Sequence, residues 1–535
     1  MRNKIYIYCL LLLTLIATPG CSDWLDLKPT DGVPRQDYWK TKEDVSSFMT
    51  GIYSSMLNTD LVSKMFLWGE MRADMITSSP RVSLINLDQI MDGEISAANP
   101  LCKWSSFYKT INQCNTLLKF APDAQVNDES FTPQMLKEYE AQAVVIRSLM
   151  YFYLVRTFGD VPFIRDAYVD NSKTMSVAKN TQEEIIPELI KDLNAVMDNV
   201  PYKYSNTNQA LNKGKVTRWM AESLLADIYL WNEQYAECNA LCDEVINSGQ
   251  FSLYPVGREE VVIEGTTPEL NDTIYIASEN DASAMFQSVY VNGNSSESIF
   301  ELQFNDQAYN PFYAMMSQAV GYVAAKTDVL SEMIYTPSQI NHNFSDIRES
   351  MAQSKGYIWK YMGKARINGT ERIQSEMTNH YILYRLPEIY LMKAEALTQI
   401  GINTNDQDKL KEAYDALKIV RDRANATDGT DLLAGASSID GATLERFVMN
   451  EKARELAYEG KRWFDVLRNA KRNSYKHLDY LTELAQYSAP SEKVVTLQTK
   501  YKNKLSHYLP IYSGELETNP KLVQNAFYDD GKSSK

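Results

Sequence analysis

Residues 218–247 of the chain read RWMAESLLADIYLWNEQYAECNALCDEVIN and contain two helical patterns joined by a short connection. Apolar residues recur at steps of three and four, as they do along one face of a helix: Leu224, Ile228, Trp231 and Tyr235. Small residues stand where two such helices would approach each other: Ala221, Ala226 and Ala236. The stretch therefore predicts a helix pair, Arg218–Trp231 with Tyr235–Asn247.

The same arrangement recurs at other places in the chain. Three further pairs are predicted: Pro387–Ile400 with Lys409–Arg423, Glu140–Phe158 with Glu183–Met197, and Thr443–Tyr458 with Arg462–Arg472. The pairs resemble tetratricopeptide repeats, whose period is about 34 residues, although insertions interrupt that period here. One such unit cannot bury its apolar face alone, so stacked units build one extended core. We therefore predict a mainly α fold with a tetratricopeptide-like helical-pair scaffold.

The region from about 251 to 379 has a different character. It is rich in Asn, Ser, Gly and Tyr and has poor helical periodicity, while Phe300, Leu302 and Phe304 alternate as in a strand. We predict an irregular, loop-rich lobe with short strands at 251–379. The helical scaffold would then comprise about 40–250 and 380–475, with a C-terminal tail at 476–535, all in one domain.

Composition excludes several classes of protein. The 535 residues are 44% hydrophobic and 23% charged, which is ordinary for a globular chain and excludes disorder. With 54 Lys and Arg against 69 Asp and Glu, the net charge of −15 argues against binding of a nucleic-acid backbone. Six Cys in this length exclude a disulfide scaffold.

The N-terminus has the pattern of an export signal. Arg2 and Lys4 precede an uncharged, mostly apolar run at 5–17, which is too short to span a bilayer comfortably. The sequence that follows, Ala17-Thr18-Pro19-Gly20-Cys21, resembles a bacterial lipobox. We expect residues 1–20 to be a signal peptide and Cys21 to be the lipid-attachment residue. The alternatives are an ordinary signal peptide cut elsewhere and an N-terminal anchor helix.

Carboxylates at helical spacing could be taken for a catalytic pair. Glu451, Glu455 and Glu459 lie at steps of four, and arginines interleave with them: Arg454, Arg462 and Arg468. Catalytic glycosidase acids flank a cleft and have unequal environments. The interleaved arginines favour instead a structural network of ion pairs. Glu395, Arg421 and Arg423 are interpreted in the same way, as braces between helices.

No other pattern predicts catalysis, a metal or a cofactor. The four His are scattered, and no His-Glu-x-x-His motif is present. Cys238 and Cys242 lie one turn apart with no nearby His, which favours buried thiols over a metal site. We therefore predict a protein that is not an enzyme and has no cofactor.

Seven motifs, in order along the chain, resemble the SusD/RagB family of nutrient-uptake lipoproteins of Bacteroidetes. Among them are Gly69-Glu70-Met71-Arg72-Ala73-Asp74, Phe158-Gly159-Asp160-Val161-Pro162 and Leu509-Pro510-Ile511. The full set lies at 21–26, 69–74, 104–115, 140–162, 385–396, 421–465 and 509–525. The resemblance covers nearly the whole chain.

The resemblance implies a location and a partner as well as a fold. It implies a lipid-anchored protein on the cell surface, at the outer membrane, that acts as a lid over a SusC-like TonB-dependent transporter. The implied ligand is a glycan, or in some branches of the family a peptide. A surface glycosidase and a scaffold that binds only proteins are the remaining alternatives.

Sugar recognition requires aromatic faces together with short polar donors and acceptors. Two regions offer these groups, and the resemblance implies that family members often bind through them. The first region is the loop that contains Asp74, Arg81, Asn86, Asp88 and Gln89. The second is the lobe, with Tyr290, Asn292, Tyr309, Phe312, Tyr313, Trp359 and Tyr361. We expect Trp359 or Tyr313 to stack on a sugar ring. No aromatic residue lies between Trp68 and Trp104, so a smaller, more polar ligand or a peptide also fits.

Overall fold

The structure is a computed structural model that describes residues 38–169, 176–263, 272–329, 346–426 and 438–529. Helices make up most of it. The helices of the first half are α1 Lys42–Met56, α2 Thr59–Glu70, α3 Ile85–Met91, α4 Ser105–Asn127, α5 Pro133–Phe158, α6 Gln182–Val196, α7 Gln209–Gly214, α8 Arg218–Trp231 and α9 Tyr235–Asn247. Those of the lobe are α10 Glu279–Phe286, α11 Phe312–Met316, α12 Thr327–Val329, α13 Glu349–Ala352 and α14 Trp359–Met362. Those of the last part are α15 Leu386–Thr404, α16 Gln407–Arg423, α17 Gly441–Glu455, α18 Arg462–Tyr475, α19 Asp479–Ser488, α20 Val494–Tyr501 and α21 Ser513–Thr518. The predicted fold class is confirmed.

The helices pack successively into an array. Helix α4 packs on α5, α5 on α6, α6 on α8, α8 on α9, α9 on α15, and α15 on α16 and α17. The predicted pairs α8–α9 and α15–α16 are therefore confirmed, and α5 packs on α6 as predicted. Helix α4, which the pairing scheme left out, is an additional partner of α5. The fourth pair differs from the prediction, because α17 packs more extensively against α15 than against α18.

The lobe contains short strands, as predicted, and two of them pair with strands that lie outside 251–379. The strands are β1 Ile76–Ser78, β2 Arg258–Ile263, β3 Asp272–Ala277, β4 Ser298–Leu302, β5 Val323–Ala325, β6 Gln353–Ser354, β7 Tyr357–Ile358 and β8 Tyr381–Arg385. They pair antiparallel as β1–β5, β2–β3, β4–β8 and β6–β7. The β4–β8 pair leads directly into α15 and so joins the lobe to the scaffold.

A buried network of ion pairs holds the lobe against the scaffold. The Arg385 side chain is fully buried and donates to Glu455 Oε1 at 2.5 Å and to Glu459 Oε2 at 2.8 Å. From the lobe, Arg348 reaches Glu455 Oε2 at 2.9 Å and Lys360 reaches Glu459 Oε1 at 2.7 Å. The three carboxylates at steps of four are therefore structural, as predicted. Of the interleaved arginines, however, only Arg454 binds one of them, while Arg462 binds Asp74 and Arg468 binds Glu395.

Each of these carboxylates has more than one cationic partner. Glu451 accepts from Arg348 at 2.6 Å, from Arg421 at 2.9 Å and from Arg454 at 2.8 Å. Burial alone would raise the pKa of Glu451, but the three guanidinium groups lower it to about 2. Arg423 also pairs with Glu455, and it links that carboxylate to Glu297 at the start of β4. The brace predicted for Arg421 and Arg423 is confirmed.

A second buried cluster explains why α17 lies against α15. Glu395 of α15 accepts from Lys452 of α17 at 2.8 Å and from Arg468 of α18 at 2.6 and 2.8 Å. Arg472 adds a further bond to the same carboxylate at 2.7 Å. One glutamate therefore fixes three helices, and the predicted bracing role of Glu395 is confirmed.

The Gly69–Asp74 motif locks α2 to the turn between α17 and α18. A Cβ on Gly69 would lie 1.8 Å from the Gly460 carbonyl oxygen, so only glycine allows this approach. Glu70 Oε1 accepts from the Gly460 N–H at 2.9 Å and the Lys461 N–H at 3.3 Å, while its Oε2 has no hydrogen bond to any residue that the structure describes. Burial raises the pKa of Glu70 to about 8, against the lowering effect of those two N–H groups.

Some expectations concern residues that the structure does not describe. The signal peptide at 1–20 and the lipid-attachment residue Cys21 lie outside the described residues. In the described ranges, none of the helices combines the length and the apolar character needed to cross a membrane. The Cys residues described are free and buried: Cys102, Cys114, Cys238 and Cys242. The domain boundaries proposed for the lobe and tail stay predictions.

Replacing Arg385 by Met should lower the free energy of unfolding by about 3–5 kcal/mol, because Glu455 and Glu459 would lose a buried partner. The matched control is Arg446→Met on α17, where a half-exposed guanidinium meets the half-exposed Glu483 carboxylate at 2.6 Å. That exposed pair should contribute about 1 kcal/mol or less. Urea-induced unfolding followed by circular dichroism measures both. Equal small losses for the two variants would contradict the role assigned to the network.

Replacing Glu70 by Gln should remove a pH-dependent loss of stability. A carboxyl whose pKa rises on folding binds its proton more tightly in the native state, so the free energy of unfolding falls as pH rises from about 4.5 towards 8. The wild-type loss should exceed that of Glu70→Gln by at most ~1.4 kcal/mol per pH unit. Urea unfolding at pH 5, 6.5 and 8 measures the slope, with the exposed Glu412→Gln as control. Identical slopes for wild type and Glu70→Gln would show that Glu70 is ionised in the native state.

Candidate functional site

A short antiparallel ladder brings the loop after Asp74 beside the lobe. Strand β1 pairs with β5, so that Ile76 lies opposite Ala325. The contact continues beyond the strands, where the Ser79 N–H donates to the Tyr322 carbonyl oxygen at 3.0 Å. The two regions that the sequence predicted for ligand binding are therefore neighbours in space.

A cleft of about 490 Å³ opens in the lobe close to this junction, and we call it the lobe cleft. Its walls come from α13, the β6–β7 hairpin and the loop 366–371. Most lining side chains are amides, hydroxyls or charged groups: Gln318, Ser350, Gln353, Ser354, Lys355, Arg366, Asn368, Thr370 and Glu371. Trp359 and Ile367 are the large apolar residues of the lining. The volume of the cleft is typical of a small-molecule binding site, although its lining is more polar than is usual for such sites.

Arg81 connects the first loop to the lobe cleft. Its guanidinium donates to the Gln318 carbonyl oxygen at 3.1 Å, and the Gln318 N–H donates to Glu371 Oε1 at 2.7 Å. Burial raises the pKa of Glu371, against the lowering effects of the Gln318 N–H and the Arg81 charge. Glu371 Oε2 has no hydrogen bond within the described residues. This oxygen is thus a fixed acceptor at the cleft wall.

Trp359 lies at the cleft but is covered. The side chain is 4% exposed, and its indole N–H donates to the Ala365 carbonyl oxygen at 2.7 Å. Gly363 passes so close that a Cβ there would lie 2.4 Å from the indole nitrogen. Stacking of a sugar on this ring stays a prediction, and it would require the loop that begins at Gly363 to move.

Two of the predicted ligand-binding residues serve the interior in this structure. Asp74 is 3% exposed, and Arg462 holds both of its carboxylate oxygens at 2.9 Å. Tyr290 is 6% exposed, and its ring lies 5.1 Å from the Lys360 ammonium. The Asp74 carboxylate is thus mostly covered by its ion pair and the Tyr290 ring by packing, and their contact with a ligand stays a prediction.

The other predicted residues lie near the surface but do not line the lobe cleft. Asp88 accepts from the Ser83 hydroxyl at 2.7 Å and from the Ser78 hydroxyl, which ties down the first loop. The Asn86 carbonyl accepts from the Asn99 side chain at 2.7 Å. Asn292 is exposed at the end of a helical turn, and Tyr313 is half-buried against the main core. Their contact with a ligand stays a prediction.

Sequence reasoning missed most of the polar cleft residues. Gln353 and Ser354 belong to a two-residue strand, and Asn368 and Thr370 belong to a loop. The Asn368-Gly369 dipeptide is a turn signal that could have marked this loop as a distinct surface feature. Nothing in the local sequence shows that the loop folds over Trp359.

A second cleft of about 520 Å³ lies between the scaffold and the lobe. The C-terminal end of α1, the start of α2 and the first half of α4 form its walls, and Tyr309 closes one side. Tyr309 is exposed, which leaves its ring accessible. Each cleft contains one aromatic residue that the sequence analysis predicted for ligand binding, Tyr309 here and Trp359 in the lobe cleft. The lobe cleft is the stronger candidate because Arg81 of the first loop contacts its lining residue Gln318.

The described residues contain no cluster of His, Cys, Asp or Glu that could hold a metal ion. The carboxylates that came closest to a catalytic pattern, Glu451, Glu455 and Glu459, are each bound by cationic side chains inside the core.

Two family models match the chain and together cover most of it. One, described as "Starch-binding associating with outer membrane", matches residues 23–230, and the other, described as "SusD family", matches residues 312–528. The chain belongs to the SusD family. Proteins of this family are binding proteins associated with the outer membrane, and this membership supports a glycan-binding role.

Individual relatives are distant but full-length. The chain is 22% identical to SusD-like protein P38 of Formosa agariphila, over 98% of this chain and 99% of that protein. Among solved structures, it is similar to surface glycan-binding protein A of Bacteroides uniformis, with 22% identity, a TM-score of 0.68, and coverage of 91% of this chain and 100% of that one. A SusD superfamily protein of Bacteroides vulgatus gives a TM-score of 0.68 at 17% identity, with coverage of 91% and 99%. At these identities the structural likeness shows the fold.

Proposed function

We propose that this SusD-family protein is a non-catalytic, lipid-anchored surface protein that captures an oligosaccharide in the lobe cleft. The observation that carries the proposal is the convergence of amides, hydroxyls and one oriented carboxylate in a cleft where the first loop meets the lobe. A sugar presents many hydroxyl groups that act as both donors and acceptors, so it matches such a lining. The name of the Bacteroides uniformis neighbour, a glycan-binding protein, supports the same ligand class.

The captured ligand would pass to a SusC-like TonB-dependent transporter in the outer membrane. Attachment of the binding protein to such a partner raises the effective ligand concentration at the pore, so a low affinity of the cleft for its ligand is sufficient. The family description, which names association with the outer membrane, supports this placement.

A peptide is the second candidate ligand. Its basis is the covered Trp359 ring, because no other aromatic side chain is among the described residues that line the lobe cleft. Lys355 and Glu371 offer opposite charges that suit the ends or side chains of a peptide. A protein-only scaffold and a surface glycosidase gain no comparable support from the cleft.

The double variant Gln353→Ala/Asn368→Ala should weaken ligand binding about 5- to 150-fold, because each of the two lost neutral hydrogen bonds contributes ~0.5–1.5 kcal/mol. Calorimetric titration against a panel of neutral oligosaccharides and short peptides first identifies the ligand and then measures the loss. Gln113→Ala, in the cleft at Tyr309, is the matched control. Unchanged affinity in the double variant would place binding elsewhere, and new reducing ends after incubation would show catalysis.

Replacing Cys21 by Ala should leave the protein soluble or unprocessed, because the acyl chains that hold it at the membrane could not be attached. Each buried CH₂ contributes ~0.8 kcal/mol, so several chains anchor a protein stably. Fractionation of cells followed by immunoblotting measures the result, with Ser22→Ala as control. A membrane fraction equal to that of the wild type would reject lipid anchoring at Cys21.

A further inference from the structure

A small pocket of about 150 Å³ lies well apart in sequence from the lobe cleft, where the connection before α8 meets the chain after α9. We call it the Lys213 pocket. It shares none of its lining residues with the lobe cleft. Nothing in the proposed function uses it.

Three aromatic rings form a row along the Lys213 pocket. The centroids of Tyr202 and Trp219 are 5.2 Å apart, and those of Trp219 and Phe251 are 6.4 Å apart. Tyr202 is 55% exposed, which is a large fraction for a ring that packs on a neighbour. An accessible ring of this kind can cover the C–H face of a sugar.

Lys213 is the unusual group of the pocket. It is 6% exposed, and its ammonium lies 4.2 Å from the centre of the Phe251 ring. Within the described part of the chain it makes no hydrogen bond and no ion pair. The carboxylate that acts on it electrostatically, Glu301, already accepts from the Ser298 hydroxyl and the Asn294 N–H. Burial lowers the pKa of Lys213 to about 8, so the group is still mainly charged at neutral pH.

Burying an ammonium group without a hydrogen-bond acceptor costs free energy, unless a partner supplies the acceptor. The pocket is open, and Lys213 is part of its lining. An anionic group that entered the pocket would supply the missing acceptor and a counter-charge.

The surroundings of the pocket favour an anion. From residue 199 to residue 221 the sequence has four cations and no Asp or Glu, although the whole chain has a net charge of −15. The four cations are Lys203, Lys213, Lys215 and Arg218. Of these, Arg218 is neutralised by Glu222 at 2.7 Å and by Asp198 at 3.2 Å. Glu301 acts on Lys213, so Lys203 and Lys215 are the cations of this stretch that have no carboxylate assigned to them among the described residues.

The loop beside the pocket is held in place by its own hydrogen bonds. Asn212 Oδ1 accepts from the N–H groups of Tyr204 at 2.8 Å and Ser205 at 3.1 Å, and its Nδ2 donates to the Ser205 carbonyl at 2.7 Å. Three side-chain amides at the pocket make no hydrogen bond to any other described residue and so are available to a ligand: those of Asn206, Gln209 and Gln250. A fixed loop with free amides binds a ligand at a low cost in conformational entropy.

We propose that the Lys213 pocket is a second saccharide-binding site, one that takes an acidic sugar unit. Lys213 would bind the anionic group, Tyr202 would cover the ring, and the free amides would meet the hydroxyls. The choice of a saccharide rests on the proposed function of the protein, whereas the preference for an anion rests on the pocket alone.

The test uses purified full-length protein in detergent and two acidic probes, trigalacturonate and a sulfated chondroitin disaccharide, with neutral galactotriose for comparison. We expect at least one acidic probe to bind more tightly than galactotriose. Lys213→Met should weaken that binding at least tenfold, and Tyr202→Ala should also weaken it. Lys411→Met, at an exposed site on α16, should leave it unchanged. Melting temperatures show whether each variant folds. If Lys213→Met does not fold, the binding affinity of Tyr202→Ala still decides the test.

The proposal is overturned if neither acidic probe binds, or if Lys213→Met and Tyr202→Ala bind as wild type does. It is also overturned if Gln353→Ala/Asn368→Ala abolishes binding of the acidic probe, because the lobe cleft would then be its site. If the cleft variant still binds the acidic probe, the second site is supported. If, in addition, the lobe cleft of the wild type binds no ligand, the proposed function of the cleft is rejected.

Discussion

The buried ion pairs around Glu451, Glu455 and Glu459 are the constraint on which the rest of the structure depends. A charge removed from water is tolerated only when partners and hydrogen bonds replace its hydration. Here each carboxylate meets two or more cations, and those cations come from the lobe, from β8 and from α16. The buried charges can therefore be satisfied only when all of these elements are assembled in one arrangement. The network thus selects one arrangement of the elements and does more than hold them together.

This arrangement determines where a ligand can bind. The network fixes the base of the lobe through Arg348 and Lys360, and the β1–β5 ladder fixes its side against the loop after Asp74. The surface between these anchors is built from loops and a two-residue hairpin, which is where polar side chains can be presented without disturbing the core. The lobe cleft lies there, and Glu371 is held at its wall by the Gln318 backbone.

The sequence predicted local features better than distant contacts. Helical periodicity identified α8 with α9 and α15 with α16, and the arginines near the three glutamates predicted a structural network, although most of its cations come from other elements. Both signals lie within a few turns of one helix. The β1–β5 pairing joins residues about 250 positions apart through strands of three residues each, too short to show alternation. Trp359 shows the same limit, since its cover comes from a loop whose path depends on Gly363 and Asn368 rather than on hydrophobicity.

Two sites of different chemistry on one rigid body would change how the protein holds a polymer. The lobe cleft offers mostly neutral donors and acceptors, whereas the Lys213 pocket offers an ammonium beside aromatic rings. A polysaccharide that carries both neutral and acidic units could contact the two sites at once, and the second contact would then be intramolecular. Since a rigid scaffold fixes the distance between the sites, only chains with a matching spacing of acidic units would gain from it. Discrimination among polymers would then come from spacing, which neither site alone can measure.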